Sequence, residues 1–228
     1  MHRLTFATAA AAALAITAAA TTATTASAAE LEIELTGLDF AYDGTAIEDA
    51  GTVPVDGVPA DRIDSADFYL DGVQIESLNT TDGDDMFVNF LIGGVTGLPE
   101  SGGAVAGGGG FFNVAFDDLP LLGLGLDFGS SIIFYSGGEI SVNATLTDVE
   151  AFYQNLPVPY AYDNDEPIFV TITGFITPGS LTTDANGTVT GFTASGTANI
   201  IGQTVVPEPA GLALIAPAGL LLLRRRRA

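Results

Sequence analysis

Two short clusters of acidic residues are the parts of this sequence best suited to chemistry. The first is Asp82-Gly83-Asp84-Asp85, and the second is Asp163-Asn164-Asp165-Glu166, which ends at Pro167. Carboxylate oxygens are the hard ligands that Ca²⁺ prefers, although neither cluster has the spacing of an EF-hand loop. Each cluster therefore has two interpretations, a calcium site or a solvated turn of the kind that Asp and Asn favour. The candidate calcium ligands are Asp82, Asp84, Asp85, Asp163, Asp165 and Glu166.

The side chains that usually act as nucleophiles or general bases are scarce. The one histidine is His2, and the chain has no cysteine, lysine or tryptophan. Ser-His-Asp triads, cysteine nucleophiles, Schiff-base lysines and ordinary zinc sites are thereby excluded from the region after residue 28. Carboxylate chemistry remains, as in a glycan hydrolase, but it needs two carboxyl groups that only the fold can place. We therefore predict a protein that is not an enzyme, with no catalytic residues.

Two tyrosines precede the second acidic cluster. Tyr160 and Tyr162 are two residues apart, so both point the same way if they lie on a strand. Exposed aromatic rings would suit a sugar ligand, whereas half-buried positions at a sheet edge are a common place for tyrosine. We favour the half-buried positions. A calcium- or carbohydrate-binding adhesion module is kept as the alternative function.

The charge of the chain limits its partners. The formal net charge is −22, from 28 acidic residues against six arginines. Residues 29–205 hold all of the acids except Glu208 and a single base, Arg62, which gives that region a net charge of −26. Nucleic acid is excluded as a partner because its phosphates must be neutralised by Lys or Arg. A solvated acidic face is expected from Glu48, Asp49, Asp56, Asp61 and Asp64.

Alternation of apolar and polar residues predicts that strands position these groups. Leu31, Ile33 and Leu35 alternate with glutamates in residues 30–36, and Asp71-Gly72 is a typical hairpin turn. No pattern of helical period is longer than about three turns. Nine to twelve short strands predict an all-β fold, a single antiparallel β-sandwich or jelly roll. Further strands are expected at 73–78, 86–92, 111–116, 132–135, 140–147, 168–176, 189–195 and 197–205, and a flexible glycine-rich loop at 98–110.

The two ends of the chain have the composition of targeting segments. Residues 1–28 combine Arg3, an alanine-rich apolar stretch and Ala26-Ser27-Ala28, which together predict a secretory signal peptide. At the other end, Pro207-Glu208-Pro209 precedes an apolar run, 211–223, and the cluster Arg224–Arg227. As a helix the run would be about 20 Å long, short of a hydrocarbon core of about 30 Å. We nevertheless predict a short transmembrane helix, because arginine side chains extend the span by snorkelling.

These three parts, in this order, resemble the PEP-CTERM sorting signal of exported bacterial proteins. The resemblance is confined to residues 206–228. It implies that an exosortase recognises Pro207, Glu208 and Pro209 and cleaves nearby. It also implies that the apolar run holds the chain in the membrane, and that Arg224, Arg225, Arg226 and Arg227 stop its transfer.

Together these patterns predict three regions: a signal peptide at 1–28, an acidic β-domain at 29–205 and a sorting tail at 206–228. The protein is expected to be exported, anchored by its tail, and then placed at the cell surface or in the extracellular matrix. Its expected partners are the secretion machinery, the exosortase and, for a matrix role, exopolysaccharide. Calcium is the one cofactor that the sequence suggests.

Overall fold

The computed structural model describes residues 28–204, apart from 52, 56–57, 83–84, 117–121 and 137–140. The predicted signal peptide and sorting tail, including Pro207, Glu208, Pro209 and Arg224–Arg227, lie outside the described residues. Within the part that is described, no helix is long and apolar enough to cross a membrane. The described residues belong to one compact unit.

The regular secondary structure of the described residues consists of strands and one short 3₁₀ helix, so the predicted all-β class is confirmed. The strands are β1 (Ala29–Tyr42), β2 (Ile47–Asp49), β3 (Val53–Val55), β4 (Val58–Arg62), β5 (Ser65–Leu70), β6 (Val73–Asn79), β7 (Phe87–Ile92), β8 (Gly103–Gly107), β9 (Gly110–Ala115), β10 (Gly123–Tyr135), β11 (Ser141–Asn155), β12 (Ile168–Ile176), β13 (Thr182–Thr183) and β14 (Val189–Thr204). The 3₁₀ helix is Thr80–Asp82.

All strand pairs are antiparallel, and most of them belong to one large sheet. Its order is β13-β14-β12-β11-β10-β9-β7-β2-β1-β5-β6, and β1 also pairs with β14. The pairings therefore return to β1 through a closed circuit of eight strands. β1 and β14 are the centre of this arrangement, since their register runs from Ala29 opposite Thr204 to Tyr42 opposite Phe192.

The core lies between the inward-facing residues of these strands. In β1 the predicted alternation is confirmed, because Leu31, Ile33 and Leu35 are fully buried while the glutamates between them are not. Aromatic rings fill the middle of the core. Phe40 meets Phe90 edge to face with centroids 6.2 Å apart, and Phe90 stacks on Phe112 at 5.5 Å. Such pairs add to the stabilisation that burial of apolar area provides.

Long strands change direction where two successive residues face outwards. In β11 the buried residues are Ala144 and Leu146 before the change, and Val149 and Ala151 after it. Asp148 lies at this bend with a positive φ of 55°. The ladder between β11 and β12 is irregular at the same place. A bulge of this kind bends a strand, and here β11 pairs with β12 only as far as Val149, whereas its pairing with β10 continues to Asn155.

Several predicted elements are found where the pattern placed them. Asp71 and Gly72 both have positive φ and form the hairpin turn between β5 and β6, as predicted. β12 spans the predicted residues 168–176. The prediction of a loop at 98–110 was wrong in part, because Gly103–Gly107 forms β8 and pairs with β10. The prediction of two strands in 189–205 was also wrong, because β14 is continuous from Val189 to Thr204.

Candidate functional site

The first acidic cluster is only partly described, because Asp84 and the side chain of Asp82 lie outside the described residues. The carboxylate of Asp85 forms an ion pair with the guanidinium of Arg62, at the end of β4. The two residues of this pair are 23 positions apart in the sequence. The pair is about half exposed and contributes little stability. The carboxylate of Asp85 is therefore already paired with a cationic side chain of the protein, that of Arg62.

The second acidic cluster is a tight turn fixed by hydrogen bonds. The backbone N–H of Asp165 donates to Asp163 Oδ1 at 3.0 Å, and the N–H of Glu166 donates to the Asp163 carbonyl at 3.1 Å. Asn164 Nδ2 donates to the carbonyl of Ala151 at 2.9 Å, which ties the turn to β11. This is the solvated-turn geometry of Asp and Asn. Asp165 and Glu166 remain exposed.

The turn forms one wall of a groove of about 520 Å³. The other wall is the bend of β11, which brings Asp148 and Glu150 to the same groove, and the ring of Phe169 lines it as well. Four acidic residues thus line the same groove, namely Asp148, Glu150, Asp165 and Glu166. Among the described residues, no three acids are close enough to hold a metal ion as they stand. A cation would have to draw them together, and calcium at Asp163, Asp165 and Glu166 stays a prediction.

Tyr160 and Tyr162 do not form the exposed aromatic pair that a sugar site would need. Tyr162 is 3% exposed, and its hydroxyl donates to the carbonyl of Ile200 at 3.1 Å. Burial raises the pKa of Tyr162 well above its ordinary value, so the ring stays neutral. Tyr160 is partly buried against the core. Tyr160 is half-buried as predicted, but it lies in the connection between β11 and β12 rather than on a strand, and Tyr162 is a core residue.

A buried carboxylate lies among the acids that were expected to form a solvated face. Asp61 is only 9% exposed, so that expectation is wrong for this residue. Its Oδ2 accepts the backbone N–H of Asp39 at 2.5 Å. Burial raises the pKa of Asp61 to about 6, and the charges of Asp39 and Asp49 add to the rise. Because Asp61 is covered, it is placed to affect stability rather than to meet a substrate.

Asp49 is near Asp61 and also borders the solvent. Its carboxylate accepts the backbone N–H of Phe90 at 3.3 Å, and burial raises its pKa. Asp49 lines a groove of about 480 Å³ with Glu48, Asn89 and Phe111. The backbone N–H groups of Phe90 and Asp39 donate to the carboxylates of Asp49 and Asp61 and fix these two acids to the framework, a feature that no spacing in the sequence revealed.

An uncharged outer surface covers four neighbouring strands. Residues 168–176 and 189–204, which make up β12 and β14, contain no Asp, Glu, Lys, Arg or His, and neither do residues 128–135 of β10 or 141–147 of β11. We call the outward side chains of this region the neutral face. Its main residues are Ile132, Phe134, Thr145, Phe169, Thr171, Thr173, Phe175, Ser195, Thr197, Asn199 and Ile201.

Comparison with known proteins gives no relative to argue from. No protein-family model, no curated protein and no solved structure matches the chain.

Proposed function

We propose that this chain is an exported, non-enzymatic protein of the cell surface or extracellular matrix, sorted and cleaved by an exosortase at its tail. One observation carries the proposal: a signal-peptide pattern at 1–28 and a three-part tail at 206–228 enclose a domain of different composition. The tail's basic cluster would stay on the cytoplasmic side, which places the acidic domain outside.

The acidic domain is consistent with this role. A region with 27 acids and one base stays soluble and repels anionic lipid surfaces while its tail holds it to the membrane. We also propose that the all-β domain is a single antiparallel β-sandwich. The bend of β11 at Asp148 supports this, since bulges let one strand serve two packed layers.

The tail hypothesis predicts a change of size and location that depends on one motif. Full-length chain made with an exosortase should lose its C-terminal segment and leave the membrane fraction, as read by intact mass. The same chain made without the enzyme should stay in the membrane fraction. Glu208→Ala should abolish the processing, because the motif is the proposed recognition element.

Glu166→Ala is the matched control, since Glu166-Pro167 is a second Glu-Pro pair that lies in the folded domain. This variant should be processed like the unaltered chain. Full-length protein that stays in the soluble fraction without the enzyme would contradict the proposal. Normal processing of the Glu208 variant would contradict it as well.

A second candidate function is a calcium-binding adhesion module, and the four-carboxylate groove is the observation that favours it. Asp148 and Glu150 line a solvent-open groove together with Asp165 and Glu166. Ca²⁺ takes six to eight oxygen ligands in flexible geometry, and carboxylates from the bend of β11 and from the turn at 163–166, with water, would supply them. The repulsion among four unneutralised carboxylates would be relieved when the cation binds.

Calcium should therefore stabilise the folded protein. At Ca²⁺ about tenfold above its dissociation constant, the stabilisation is about 1.4 kcal/mol, a rise in Tm of a few degrees. The double variant Asp148→Asn and Asp165→Asn should lose this rise, whereas Glu76→Gln, an exposed acid on β6, should keep it. A scanning calorimeter measures all three proteins. Equal shifts in all three, or no shift at all, would remove this candidate.

A further inference from the structure

The neutral face is a charge-free area on a domain that is otherwise acidic. The domain has a net charge of −26, yet the four strand segments that carry the face have no ionisable carboxylate. The acids begin at its border, where Glu32 and Glu34 of β1 lie opposite Ile201 and Asn199 of β14. On the other side, Asp148 marks the bend of β11.

The face is also unusually apolar for an exposed sheet. Phe134 is 54% exposed, Phe169 58% and Phe175 67%, and Ile132 is 44% exposed. A cluster of large apolar side chains on the surface commonly marks an interaction site. These residues lie on two strands separated only by β11, so they belong to one area.

Several polar groups on and around the face are already paired with neighbours in the sheet. The hydroxyl groups of Ser130 and Thr147 are 2.7 Å apart, and Asn199 Nδ2 donates to Glu32 Oε1 at 2.6 Å. These groups have fewer hydrogen bonds to offer a sugar. What the face presents to a partner is therefore dominated by rings and by threonine methyl groups. This favours a protein surface over a glycan.

From these observations we infer that the neutral face is the contact by which two copies of this chain associate. Two copies of so acidic a domain repel each other wherever their acids meet, but two neutral faces can meet without placing like charges opposite each other. The contact would be isologous, with the same surface on both copies. The inference goes beyond the proposed function and does not depend on the tail.

The size of the face sets the strength of the contact. Four adjacent strands about 4.8 Å apart, and seven residues of β12, give an area of roughly 400 Å² per copy. A stable interface typically buries about 800 Å² per partner, so this contact is weak and depends on a high local concentration. Screening of the surrounding acids by salt should strengthen it.

Cross-linking tests the inference directly, because the chain has no cysteine of its own. The full chain carrying Thr171→Cys, in the middle of the face, is treated with a short bis-maleimide. The expected product has twice the mass of the chain. The control is Val73→Cys on β6, which is 64% exposed and lies off the face, and which should give little of this product. The yield at Thr171→Cys should rise between about 0.02 M and about 0.5 M NaCl.

Two further variants distinguish association through the neutral face from non-specific association. Adding Phe169→Ser and Phe175→Ser to Thr171→Cys should weaken the association at least about tenfold, which corresponds to about 1.4 kcal/mol. Adding Phe152→Ser instead should leave the yield unchanged. Phe152 is 61% exposed and is thus a matched phenylalanine, but it lies on β11 beyond Asp148 and Glu150. Circular dichroism confirms that each variant is folded.

Four cross-linking results would overturn the inference. They are equal yields from Thr171→Cys and Val73→Cys, a yield that the two serine substitutions do not change, a yield that falls with salt, and an adduct whose mass is not twice that of the chain. Protection of Thr171→Cys from maleimide by a neutral glucan, without cross-linking, would likewise overturn it and assign the face to a sugar.

Discussion

Phe40→Ala is expected to lower the free energy of unfolding by about 3–5 kcal/mol, the usual cost of removing a buried phenylalanine ring. Phe40 is fully buried on β1 and is one end of the aromatic row that continues through Phe90 and Phe112. Its loss removes apolar contact area and leaves a cavity that a well-packed sheet core closes only in part. Urea denaturation followed by far-UV circular dichroism measures the change. A loss below about 1 kcal/mol would contradict this account of the core.

A second substitution tests the same packing. The ring of Phe40 occupies the space that a side chain at residue 174 would need. A Cβ added at Gly174 would lie 2.4 Å from Phe40 Cζ. Gly174→Ala should therefore cost about 1–3 kcal/mol in the unaltered protein and clearly less when Phe40 is already alanine. Gly196→Ala is the control. Its Cβ would lie 2.0 Å from the backbone carbonyl oxygen of Thr173, which no change at Phe40 relieves.

Asp61→Asn is expected to stabilise the protein at neutral pH. The pKa of Asp61 is raised from 3.8 to about 6 in the folded state, so the folded state binds this proton more tightly than the unfolded state. Stability should consequently fall as the pH rises from about 4 to about 7, by up to about 3 kcal/mol from this residue alone. Asparagine carries no charge, so the loss of stability with rising pH disappears. Its side-chain oxygen still accepts the Asp39 N–H. Urea midpoints across this range would show a flatter profile for the variant.

Asp184→Asn provides a control of opposite sign. The backbone N–H groups of Thr188 and Asn186 donate to this carboxylate and lower its pKa. The stability that Asp184 contributes is present above its ordinary pKa and is lost as the pH falls, so its asparagine variant should not gain stability at neutral pH. If Asp61→Asn behaves like Asp184→Asn, the carboxylate of Asp61 is not the buried, raised-pKa group described above.

Much of the strand pattern could be predicted because it depends on local alternation. β1 and β12 have one buried and one wetter face, and the Asp71-Gly72 turn needs positive φ at both residues. β8 could not be predicted, because Gly103–Gly107 has little strand preference of its own and is ordered by pairing with β10. The glycine at 196 suggested a break in β14. It is instead where β12 and β14 pack too closely for any side chain.

The groove and the neutral face were harder to predict, because they combine residues that are distant in sequence. The groove of four carboxylates needs the bend at Asp148 to face the turn at Asp163–Glu166, and only one of these is visible as a cluster. Likewise, the burial of Asp61 follows from contacts with β1 and β7 rather than from its neighbours. The neutral face did leave a signal in the sequence. Two long segments without any charge stand out in a chain with 28 acids.

The pairing of β1 with β14 has a consequence for the order in which the domain folds. The first and last described strands are neighbours over more than a dozen residues, and their partners are separated by up to 175 positions. β1 therefore cannot pair with β14 until the final segment of the domain has left the ribosome. Contacts of such long range slow folding, so the sheet is expected to be completed late, after β14 has been made.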